Sequence, residues 1–425
     1  MPGFRRNLRT RRRFDIQTPS GIATAIVAIS IVAIIISALV LSVKQIQRDK
    51  EIAKKQQEVE QIIYNLFEAE DYENIQPQEI EVPDTVVNIV SIGDILCETE
   101  LYESAYNKET GTYDFDSIFT DTKSYIQQAD IALASLETNF VEGQKYSGRG
   151  KYNSPLELLD SIKKLGIDVI NTANNHSLDY GINGINSTID KLKEREISNV
   201  GTYKTQEDKD NILIKEIKGI KIAFLAYTYG SNTSISELNR NEYALSLMEK
   251  EKMAADIKKS KTEGADFTFL LMHWGDVNSS KINEEQKELA SYLFENGADF
   301  ILGTHPASIQ PMEIRQNSEG KNVFIAYSTG NYISASEYTN SNIEMILDIQ
   351  ITKNPKTQET KLSKVTYTPI YLLDRGKKAE QRYKLVDVKQ EIQTYESGYT
   401  NNITDKEYEQ LLKALINIDN LIYNK

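Results

Sequence analysis

The sequence reads NTANNHSLDYG from Asn171 to Gly181, between two apolar stretches of different period. The preceding run, Ile167 to Ile170, predicts a short buried strand, whereas Ile182 to Leu192 has its apolar residues at helical spacing. Functional sites of α/β folds lie at the carboxyl ends of strands, so this strand-to-helix turn is the first candidate. Four residues of the turn are able to bind a metal or move protons, namely Asn174, Asn175, His176 and Asp179.

The three histidines of the chain occupy equivalent positions. His176, His273 and His305 each follow a short apolar run that predicts a strand. Those runs are Asp168–Ile170, Phe267–Met272 and Phe300–Leu302. Core packing alone is a poor explanation for three histidines placed in this way, so the pattern indicates one shared site.

Composition limits the class of protein. The 425 residues are 40% hydrophobic and 26% charged, which is typical of a globular protein with a sizeable core. This length allows two or three domains, or a single larger α/β domain. The net charge of −13 argues against a general nucleic-acid binder, because attraction to phosphates needs a basic surface. The lone cysteine, Cys97, excludes an internal disulfide and a cysteine-rich zinc site.

The N-terminus has the pattern of a membrane anchor. Residues 1–20 form a basic tail with six arginines, and Ile22 to Val43 contains no charged residue. About 20 apolar residues span a bilayer, and the core of a cleaved signal peptide is shorter. We therefore predict one uncleaved transmembrane helix at 21–43. The denser positive charge before it predicts a cytoplasmic N-terminus and an extracytoplasmic main domain at the cell membrane.

Residues 44–84 are predicted to join this anchor to the folded domain. Lys44 to Glu70 is highly charged and rich in glutamine, and it predicts a helical stalk. A solvated spacer helix and a short coiled coil both fit that pattern. Asp71 to Asp84 contains two prolines and many acids, which is typical of an extended linker.

From Thr85 onward the pattern predicts an α/β fold. Predicted strands and helices alternate as far as Tyr327, and then Asn342–Ile351 and Lys361–Leu372 alternate apolar and polar residues as an antiparallel pair would. Alternation followed by further strands suggests a mixed sheet or a layered sandwich. We assign residues 85–375 to this domain and residues 376–425 to a C-terminal helical extension.

Three local predictions concern the segments around the candidate site. Asp116 to Ala129 is predicted to be one helix, and the glycine-rich segment Glu142 to Asn153 a mobile loop. Pro155 to Leu165 is predicted to be a helix with Ser154 as its N-cap.

Acid, amide or imidazole groups follow five separate predicted strands. They are Asp94, Glu137, Asn175 with His176, His273 and His305. Oxygen and imidazole ligands without a thiolate suit Mn, Fe, Zn or Mg. A metal bound by them would polarise a phosphoryl oxygen or lower the pKa of bound water. Each residue alone also fits a helix cap, a surface acid or a core histidine, so the prediction depends on the set.

Further candidates for substrate contact are Asn174, Trp274, Gln310 and Asn331. Structural roles are open for them as well. Trp274 would pack against the core, Gln310 would hydrogen-bond its own loop, and the turn at Asn331 would allow close approach of the backbone.

Two chemistries compete with the metal site, that of a serine hydrolase and that of a glycosidase. The sequence contains no Gly-x-Ser-x-Gly elbow of a serine hydrolase and no phosphate-binding loop of the P-loop type. A glycosidase that uses Glu137 and Asp94 as its carboxylate pair stays open. That reading leaves the three histidines unexplained.

Eight ordered motifs between Val86 and Ser334 carry a family resemblance. They are Ser91-Ile92-Gly93-Asp94, Tyr113-Asp114-Phe115, Ala129-Asp130 with Ser135-Leu136-Glu137-Thr138, Ala173-Asn174-Asn175-His176 through Asp179-Tyr180-Gly181, Val200-Gly201-Thr202, His273-Trp274-Gly275, Gly297-Ala298-Asp299 with Gly303-Thr304-His305-Pro306, and Tyr327-Ser328-Thr329-Gly330-Asn331. In this order they resemble the CapA-type, poly-gamma-glutamate capsule synthesis family, which looks like a branch of the calcineurin-like metallophosphoesterase superfamily.

The resemblance implies a layered α/β/β/α sandwich of metallophosphoesterase type with one or two divalent ions. It implies that the metal position is lined by Asp94, Glu137, Asn175, His273 and His305. His176 would be a nearby acid or phosphate contact. The implied partners are an anionic cell-surface polymer such as poly-gamma-glutamate and the membrane-bound complex that makes it.

Three positions depart from the family pattern. Ala307 stands where the family usually has a second histidine after His-Pro, and Val277 stands where it usually has a glutamate. Leu96 follows Ile95, so the Asp-x-His start of the superfamily is missing. A second ion would then have little beyond Asp94 and Glu137 as ligands.

Two hypotheses follow for the function. The first is metal-assisted hydrolysis or transfer at a phosphoester or amide, with His176 as the acid and Asp179 orienting it. The second is a non-catalytic module that binds an anionic polymer or partner enzymes of an envelope complex, and Ala307 favours it.

Overall fold

A computed structural model describes residues 32, 36, 39–59, 61, 83–335, 340–399 and 402–423. The chain divides into two compact units, Met1–Glu81 and Val82–Lys425. In the first unit, residues 39–59 form an exposed helix. None of the helices in the described ranges has the length and apolar character needed to cross a membrane. The predicted tail and most of the predicted anchor and linker lie outside those ranges.

The second unit contains two large β-sheets and two small hairpins. The eight strands of the larger sheet are β1 (Thr85–Ile95), β4 (Ile131–Leu136), β7 (Val169–Asn171), β8 (Ser198–Val200), β15 (Asn331–Ile333), β16 (Ile343–Lys353), β17 (Thr360–Asp374) and β18 (Tyr383–Asp387). The six strands of the smaller sheet are β9 (Leu213–Ile217), β10 (Ile220–Thr228), β11 (Phe267–His273), β12 (Phe300–Thr304), β13 (Met312–Gln316) and β14 (Asn322–Ala326). The hairpins are β2 (Tyr106–Asn107) with β3 (Thr112–Tyr113), and β5 (Ser147–Arg149) with β6 (Lys151–Asn153).

Nine labelled α-helices accompany these strands in the described part of the second unit. They are α1 (Thr99–Ala105), α2 (Lys123–Gln127), α3 (Leu156–Leu165), α4 (Gly181–Lys193), α5 (Gln206–Asp210), α6 (Lys250–Thr262), α7 (Glu284–Glu295), α8 (Val388–Glu396) and α9 (Asp405–Tyr423).

Both sheets are mixed. The larger sheet has the order β18-β17-β16-β1-β4-β7-β8, with β15 also paired to β1, and the smaller has the order β13-β14-β12-β11-β10-β9. Strands β1, β4 and β7 run parallel, as do β10, β11 and β12. Because parallel strands end at the same edge of a sheet, the residues that follow them are brought together.

The sheets pack face to face, and helices cover the outer faces. Side chains alternate along a strand, so Ile89 lies in the cluster between the sheets while Val90 faces outward. Phe224 of the smaller sheet contributes to the same central cluster. Outside the larger sheet lies Leu159 of α3, and outside the smaller one Leu289 of α7. The predicted α/β class is thus confirmed, and the layer order is α/β/β/α.

Long periodic segments match their predicted bounds to within two residues, and three local predictions are wrong. Asp116–Ala129 is broken into a 3₁₀ turn, Asp116–Phe119, and the short helix α2. The hydroxyl of Thr122 between them donates to the Phe119 carbonyl and pairs with Tyr332, and such local bonds compete with a continuous helix. Ser154 does not cap α3, because its hydroxyl pairs with Thr138 at 2.7 Å and Pro155 is the N-cap residue.

The segment predicted as a mobile loop forms the β5–β6 hairpin. The Asn153 side chain accepts from Val141 N at 2.7 Å, and the backbone N of Tyr152 donates to Asp179 Oδ2 at 2.7 Å. These polar contacts stabilise an element that has little apolar surface, which is why hydrophobic periodicity did not reveal it. Residues 376–425, predicted as a helical extension, also supply β18 to the larger sheet.

Glu344 is a buried acid without a partner. It lies in β16 opposite Ile370, it is 0% exposed, and neither carboxylate oxygen has a hydrogen-bond partner among the described residues. Burial raises the pKa of this carboxyl well above its usual value, and the charges of Asp94 and Glu98 add to the rise. The folded chain therefore holds this proton at a pH where the unfolded chain has released it.

Glu344→Gln is expected to make stability less dependent on pH. With the folded pKa raised, wild-type stability is greatest below the unfolded value and falls as pH rises toward the folded one. The amide has no proton to lose, so the variant should be more stable than wild type at pH 8 and about equal to it at pH 4. Urea unfolding at the two pH values measures this. An equal difference at both pH values would contradict the assignment.

Candidate functional site

The predicted ligands meet where strands of both sheets end. Asp94 lies near the end of β1, Glu137 follows β4, and Asn175 follows β7 after a short turn. From the smaller sheet, His273 is the last residue of β11 and His305 directly follows β12. Each sheet contributes a set of parallel strands, and the two sets face each other. They bring Asp94 and His305, which are 211 positions apart in the chain, to hydrogen-bonding distance.

Close backbone packing places Asp94 among the other ligands. The register of β1 shifts between Ser91 and Asp94, and Asp94 N donates to the Gly330 carbonyl at 3.1 Å. A Cβ on Gly93 would lie 2.1 Å from that carbonyl oxygen, so only glycine permits the approach. Asp94 Oδ2 accepts from the backbone N of His305 at 2.9 Å, which joins the two sheets directly at the site.

Three of the predicted ligands form a compact cluster. The donor atoms of Glu137, His273 and His305 all lie within 4.8 Å of one another. His273 Nε2 lies 2.7 Å from Asn175 Oδ1 and 3.9 Å from Glu137 Oε1. Asp94 Oδ1 lies 3.8 Å from His273 Nδ1. The five predicted ligands are therefore brought together around His273.

Burial keeps both histidines of the cluster neutral. It lowers the pKa of His273 well below the usual value, with the charges of His305 and His176 adding to the effect. Burial also lowers the pKa of His305 to about 4, and the charge of His176 adds to it. A neutral imidazole offers a lone pair, which is the form that binds metals. The Nδ1 atom of His305 is buried and has no hydrogen-bond partner among the described residues.

The two carboxyl groups have raised pKa values. Burial raises the pKa of Asp94 to about 6, against hydrogen bonds from Ser135, the His305 backbone and Thr304. It raises the pKa of Glu137 well above the usual value, and the charge of Asp94 contributes. Buried negative charge is costly without a positive partner. Asp94 Oδ1 is buried and has no hydrogen-bond partner among the described residues, and a bound cation would supply the missing positive charge.

The backbone after β12 is held in a conformation that L-residues seldom adopt. His305 has φ 98° and Ala307 has φ 56°. Such strain persists only where surrounding contacts impose it, and it is concentrated at functional sites. Here the Asp94–His305 hydrogen bond and the Asn278 N bond to the Pro306 carbonyl at 2.7 Å hold the turn.

His176 lies beside this cluster in a chain of hydrogen bonds. Its Nδ1 lies 2.8 Å from Asp179 Oδ2, and its Nε2 lies 3.1 Å from Asn232 Nδ2. The amide nitrogen of Asn232 donates, and the carboxylate of Asp179 accepts, so the ring carries its proton on Nδ1. Nε2 also lies 3.9 Å from Glu137 Oε1 and so faces the cluster. The two residues predicted to act together, His176 and Asp179, are thus in hydrogen-bond contact.

The predicted substrate contacts divide into two groups. Asn331 lines the pocket in front of the cluster, whereas Asn174, Trp274 and Gln310 are not among the residues that line it. Asn174 donates to the Leu136 carbonyl at 2.7 Å, and Trp274 Nε1 donates to the Tyr327 carbonyl at 2.9 Å. Gln310 accepts from the Gln286 amide and donates to the Ser279 and Lys281 carbonyls. In the structure these three residues hold the loops and strands around the site.

Sequence reasoning missed several residues at the pocket, and three of them contact the predicted histidines. The ring of Tyr152 packs edge-on against His176 with centroids 4.5 Å apart, and the ring of Tyr229 lies 4.8 Å from that of His305. Asn232 bonds to His176 as described above. Tyr152 lies in the segment predicted to be a mobile loop, and Tyr229 directly follows strand β10. The position after a strand end was the one available signal, and it applied only to Tyr229.

The pocket has a volume of about 520 Å³ and a mixed polar and apolar lining. Its polar members include Glu137, Asn175, His176 and His305. Its apolar members include Leu96, Val277, Ala307 and Ala335. Ala307 and Val277, the positions that depart from the family pattern, thus face the pocket but offer no ligand atom.

The residues present fit a bound divalent cation. Two neutral imidazoles and a carboxylate are ligands typical of Zn, Mn or Fe sites. An unpartnered oxygen on Asp94 and an unpartnered nitrogen on His305 are the buried atoms that a cation would satisfy. Within the described residues this is the one cluster of three histidine, cysteine or acidic ligands. The fit is therefore to one ion, with Asn175 Oδ1 available as a fourth ligand.

Known sequences place the chain in a family. A model described as bacterial capsule synthesis protein PGA_cap matches residues 88–336. The capsule biosynthesis protein CapA of Bacillus anthracis is 26% identical over 278 residues, which cover 63% of this chain and 64% of that protein. The PGA biosynthesis protein CapA of Bacillus subtilis is 25% identical over 275 residues, which cover 64% of this chain and 69% of that protein. The chain thus spans somewhat under two thirds of the Bacillus anthracis relative.

Solved structures show more distant likenesses. A phosphatase from Mycoplasma pneumoniae aligns with a TM-score of 0.41 and 14% identity, over 68% of this chain and 95% of that one. The calcineurin-like phosphoesterase YfkN from Bacillus subtilis aligns with a TM-score of 0.40 and 16% identity, over 68% of this chain and 91% of that one.

The region matched by the family model begins in β1 and ends just after β15. It therefore contains all five predicted ligands, both catalytic candidates and the whole pocket-forming edge of the two sheets. Because the match covers more than half of its length, this chain belongs to the bacterial capsule synthesis protein family.

Proposed function

We propose that this protein acts in the biosynthesis, export or anchoring of a bacterial capsule polymer by metal-assisted hydrolysis or transfer at a phosphoester or amide bond of that polymer. The observation that carries the proposal is the compact set of donor atoms from Glu137, His273 and His305, all within 4.8 Å. The names of the two relatives indicate the polymer class, since one is a capsule biosynthesis protein and the other a PGA biosynthesis protein.

Glu137, His273 and His305 would hold the cation, with Asn175 beside them and Asp94 stabilising the turn at His305. A divalent cation there would supply Lewis-acid polarisation of the bond to be broken and activation of water. Burial prepares these ligands, because the imidazoles are neutral and the hydrogen-bond network fixes their positions.

His176 would move the proton. Its Nε2 faces Glu137 Oε1 at 3.9 Å, and Asp179 holds Nδ1 at 2.8 Å. In this orientation Nε2 takes up the proton that the attacking group releases and delivers it to the leaving group. Asp179 stabilises the positive ring between these two steps. Tyr152 packs against the ring and limits its rotation.

The site of action is part of the proposal. An anchor at residues 21–43 would hold the second unit at the outer face of the cell membrane, near the complex that makes the polymer. The sequence supports this through the uncharged run that ends at Val43 and the arginines before it.

Elemental analysis of the full-length chain, purified without chelator, tests the metal. Roughly one Zn, Mn or Fe per chain is expected, because one cluster of three ligands is present. Cleavage of bis-p-nitrophenyl phosphate and of poly-gamma-glutamate should be lost after EDTA treatment and restored by the metal. A chain that takes up no metal after incubation with Mn or Zn would refute metal-assisted catalysis.

Binding without catalysis is the second candidate function. It is favoured by Ala307 and Val277, which face the pocket and supply no ligand for a second ion. In that case the chain would bind the polymer equally well with and without metal, and neither substrate would be cleaved.

A further inference from the structure

The pocket has a single side chain with a permanent positive charge. Among the described residues that line it, Arg149 alone is an arginine or lysine. The other charged side chains of the lining are the acids Glu98 and Glu137. With a net charge of −13, the chain as a whole repels anions, so Arg149 decides where a negative group of a ligand can bind in this pocket.

The hairpin fixes the backbone that carries Arg149. Gly148 packs against the start of α1, where a Cβ would lie 2.1 Å from Thr99 N. The following strand is attached by Tyr152 N, which donates to Asp179 Oδ2 at 2.7 Å. Asp179 also binds His176, so the hairpin and the proton-moving histidine share one anchor. The backbone at Arg149 therefore has a defined position relative to the cluster.

The partner of Arg149 in the structure is Glu100 of α1. The arginine side chain is 71% exposed and that of Glu100 is 25% exposed. Ion pairs at such exposed positions contribute little to stability, so stability does not explain this one. Glu100 instead holds the guanidinium at the pocket and can be replaced by another carboxylate or by a phosphate, because both fit its planar fork.

We propose that Arg149 is an anion subsite beside the candidate metal position. It binds the carboxylate or phosphate of the repeat unit next to the bond that is broken, in exchange for Glu100. The proposal rests on the proposed function and adds to it a residue, Arg149, that positions a negative group of the polymer. Asn331 supports it from inside the pocket, because its buried Nδ2 has no acceptor among the described residues.

Binding measurements on the full-length chain test the subsite. The probes are poly-gamma-glutamate fragments, oligomers of glycerol phosphate and, as a neutral polymer, dextran, each titrated by calorimetry with and without EDTA. Arg149→Ala should weaken binding of an anionic probe about tenfold or more, since charge-assisted Arg pairs are among the strong hydrogen bonds. Glu100→Gln should strengthen it about threefold, since it removes the competing carboxylate. Dextran should show neither change.

Two variants serve as matched controls. Lys151→Ala changes the net charge as Arg149→Ala does, on the same hairpin but outside the pocket lining. Glu103→Gln is the charge-matched control for Glu100→Gln, because Glu103 lies at an exposed position of the same helix, α1. Both controls should leave affinity within about twofold of wild type, because exposed charges are screened by salt. The anionic probe whose affinity falls more in Arg149→Ala shows whether Arg149 binds a carboxylate or a phosphate.

The outcomes separate this proposal from the preceding one. Equal losses in Arg149→Ala and Lys151→Ala, weaker binding in Glu100→Gln, or no binding of either anionic probe to wild type would overturn the subsite. Binding that depends on Arg149 in a chain without metal or cleavage would preserve the subsite and refute metal-assisted catalysis.

Discussion

Replacing His273 by alanine should reduce the bound metal from about one ion per chain to background. His273 lies at the centre of the ligand set, 2.7 Å from Asn175 Oδ1 and 3.9 Å from Glu137 Oε1. A cluster left with one imidazole and one carboxylate cannot hold a transition metal tightly. Elemental analysis of variant and wild type, purified side by side without chelator, gives the measurement, and cleavage should fall with the metal.

His176→Ala is the matched control for this loss. His176 also follows a strand and is also buried, but it is not a member of the three-residue cluster. The control should keep the metal and lose most of the cleavage, since it removes only the proton-moving group. Metal lost equally in both variants would contradict the assigned roles.

A second ligand variant excludes a trivial explanation. His273 is 0% exposed, and removal of a buried ring leaves a cavity, which destabilises a fold by about 2 to 5 kcal/mol. His305 is less deeply buried, so His305→Ala should keep the fold and still lose the metal. Circular dichroism of both variants checks the fold. Metal retained by a folded His305→Ala would refute the ligand set.

The strand ends could be predicted because each apolar run is followed directly by polar residues. Strand β1 has its predicted bounds. The candidate ligands were chosen by the rule that sites follow parallel strands, and the structure brings them together at one edge of the two sheets. The apolar run Ile167 to Ile170 predicts a strand. Strand β7 begins two residues later, at Val169, and ends one residue later, at Asn171. The turn that follows keeps Asn175 and His176 in place in either case.

Other features of the site depend on contacts between distant segments of the chain. Hydrophobic periodicity cannot predict such contacts. The bond from Asn232 to His176 joins residues 56 positions apart, and nothing in the local sequence of Asn232 predicts it. The β5–β6 hairpin is held by Asn153 and Asp179 and not by an apolar face. Trp274 and Gln310 were candidates because they adjoin histidines or follow them, yet their hydrogen bonds are made to the surrounding backbone and to Gln286.

Asp179→Ala should combine a large loss of stability with loss of function. One oxygen of Asp179 accepts two hydrogen bonds, from Tyr152 N at 2.7 Å and from His176 Nδ1 at 2.8 Å. Alanine leaves both donors without this acceptor in a position where Asp179 itself is 1% exposed. Each buried donor without a partner costs about 1 to 3 kcal/mol, so loss of the acceptor for two donors should lower the free energy of unfolding by about 2 to 6 kcal/mol. Urea unfolding of the full-length chain measures this loss.

Asp190→Ala gives the comparison for this change. Asp190 also has a close polar partner, the Lys204 ammonium at 2.7 Å, but its side chain is 51% exposed. Removal of an exposed pair should change stability by less than about 1 kcal/mol.

Asp179→Ala should also free His176 and loosen the hairpin. Cleavage and Arg149-dependent binding should then both weaken while the three metal ligands stay in place. Equal stability of the two alanine variants would show that Asp179 does not link the hairpin to His176, and the coupling between proton transfer and the anion subsite would then have no structural basis.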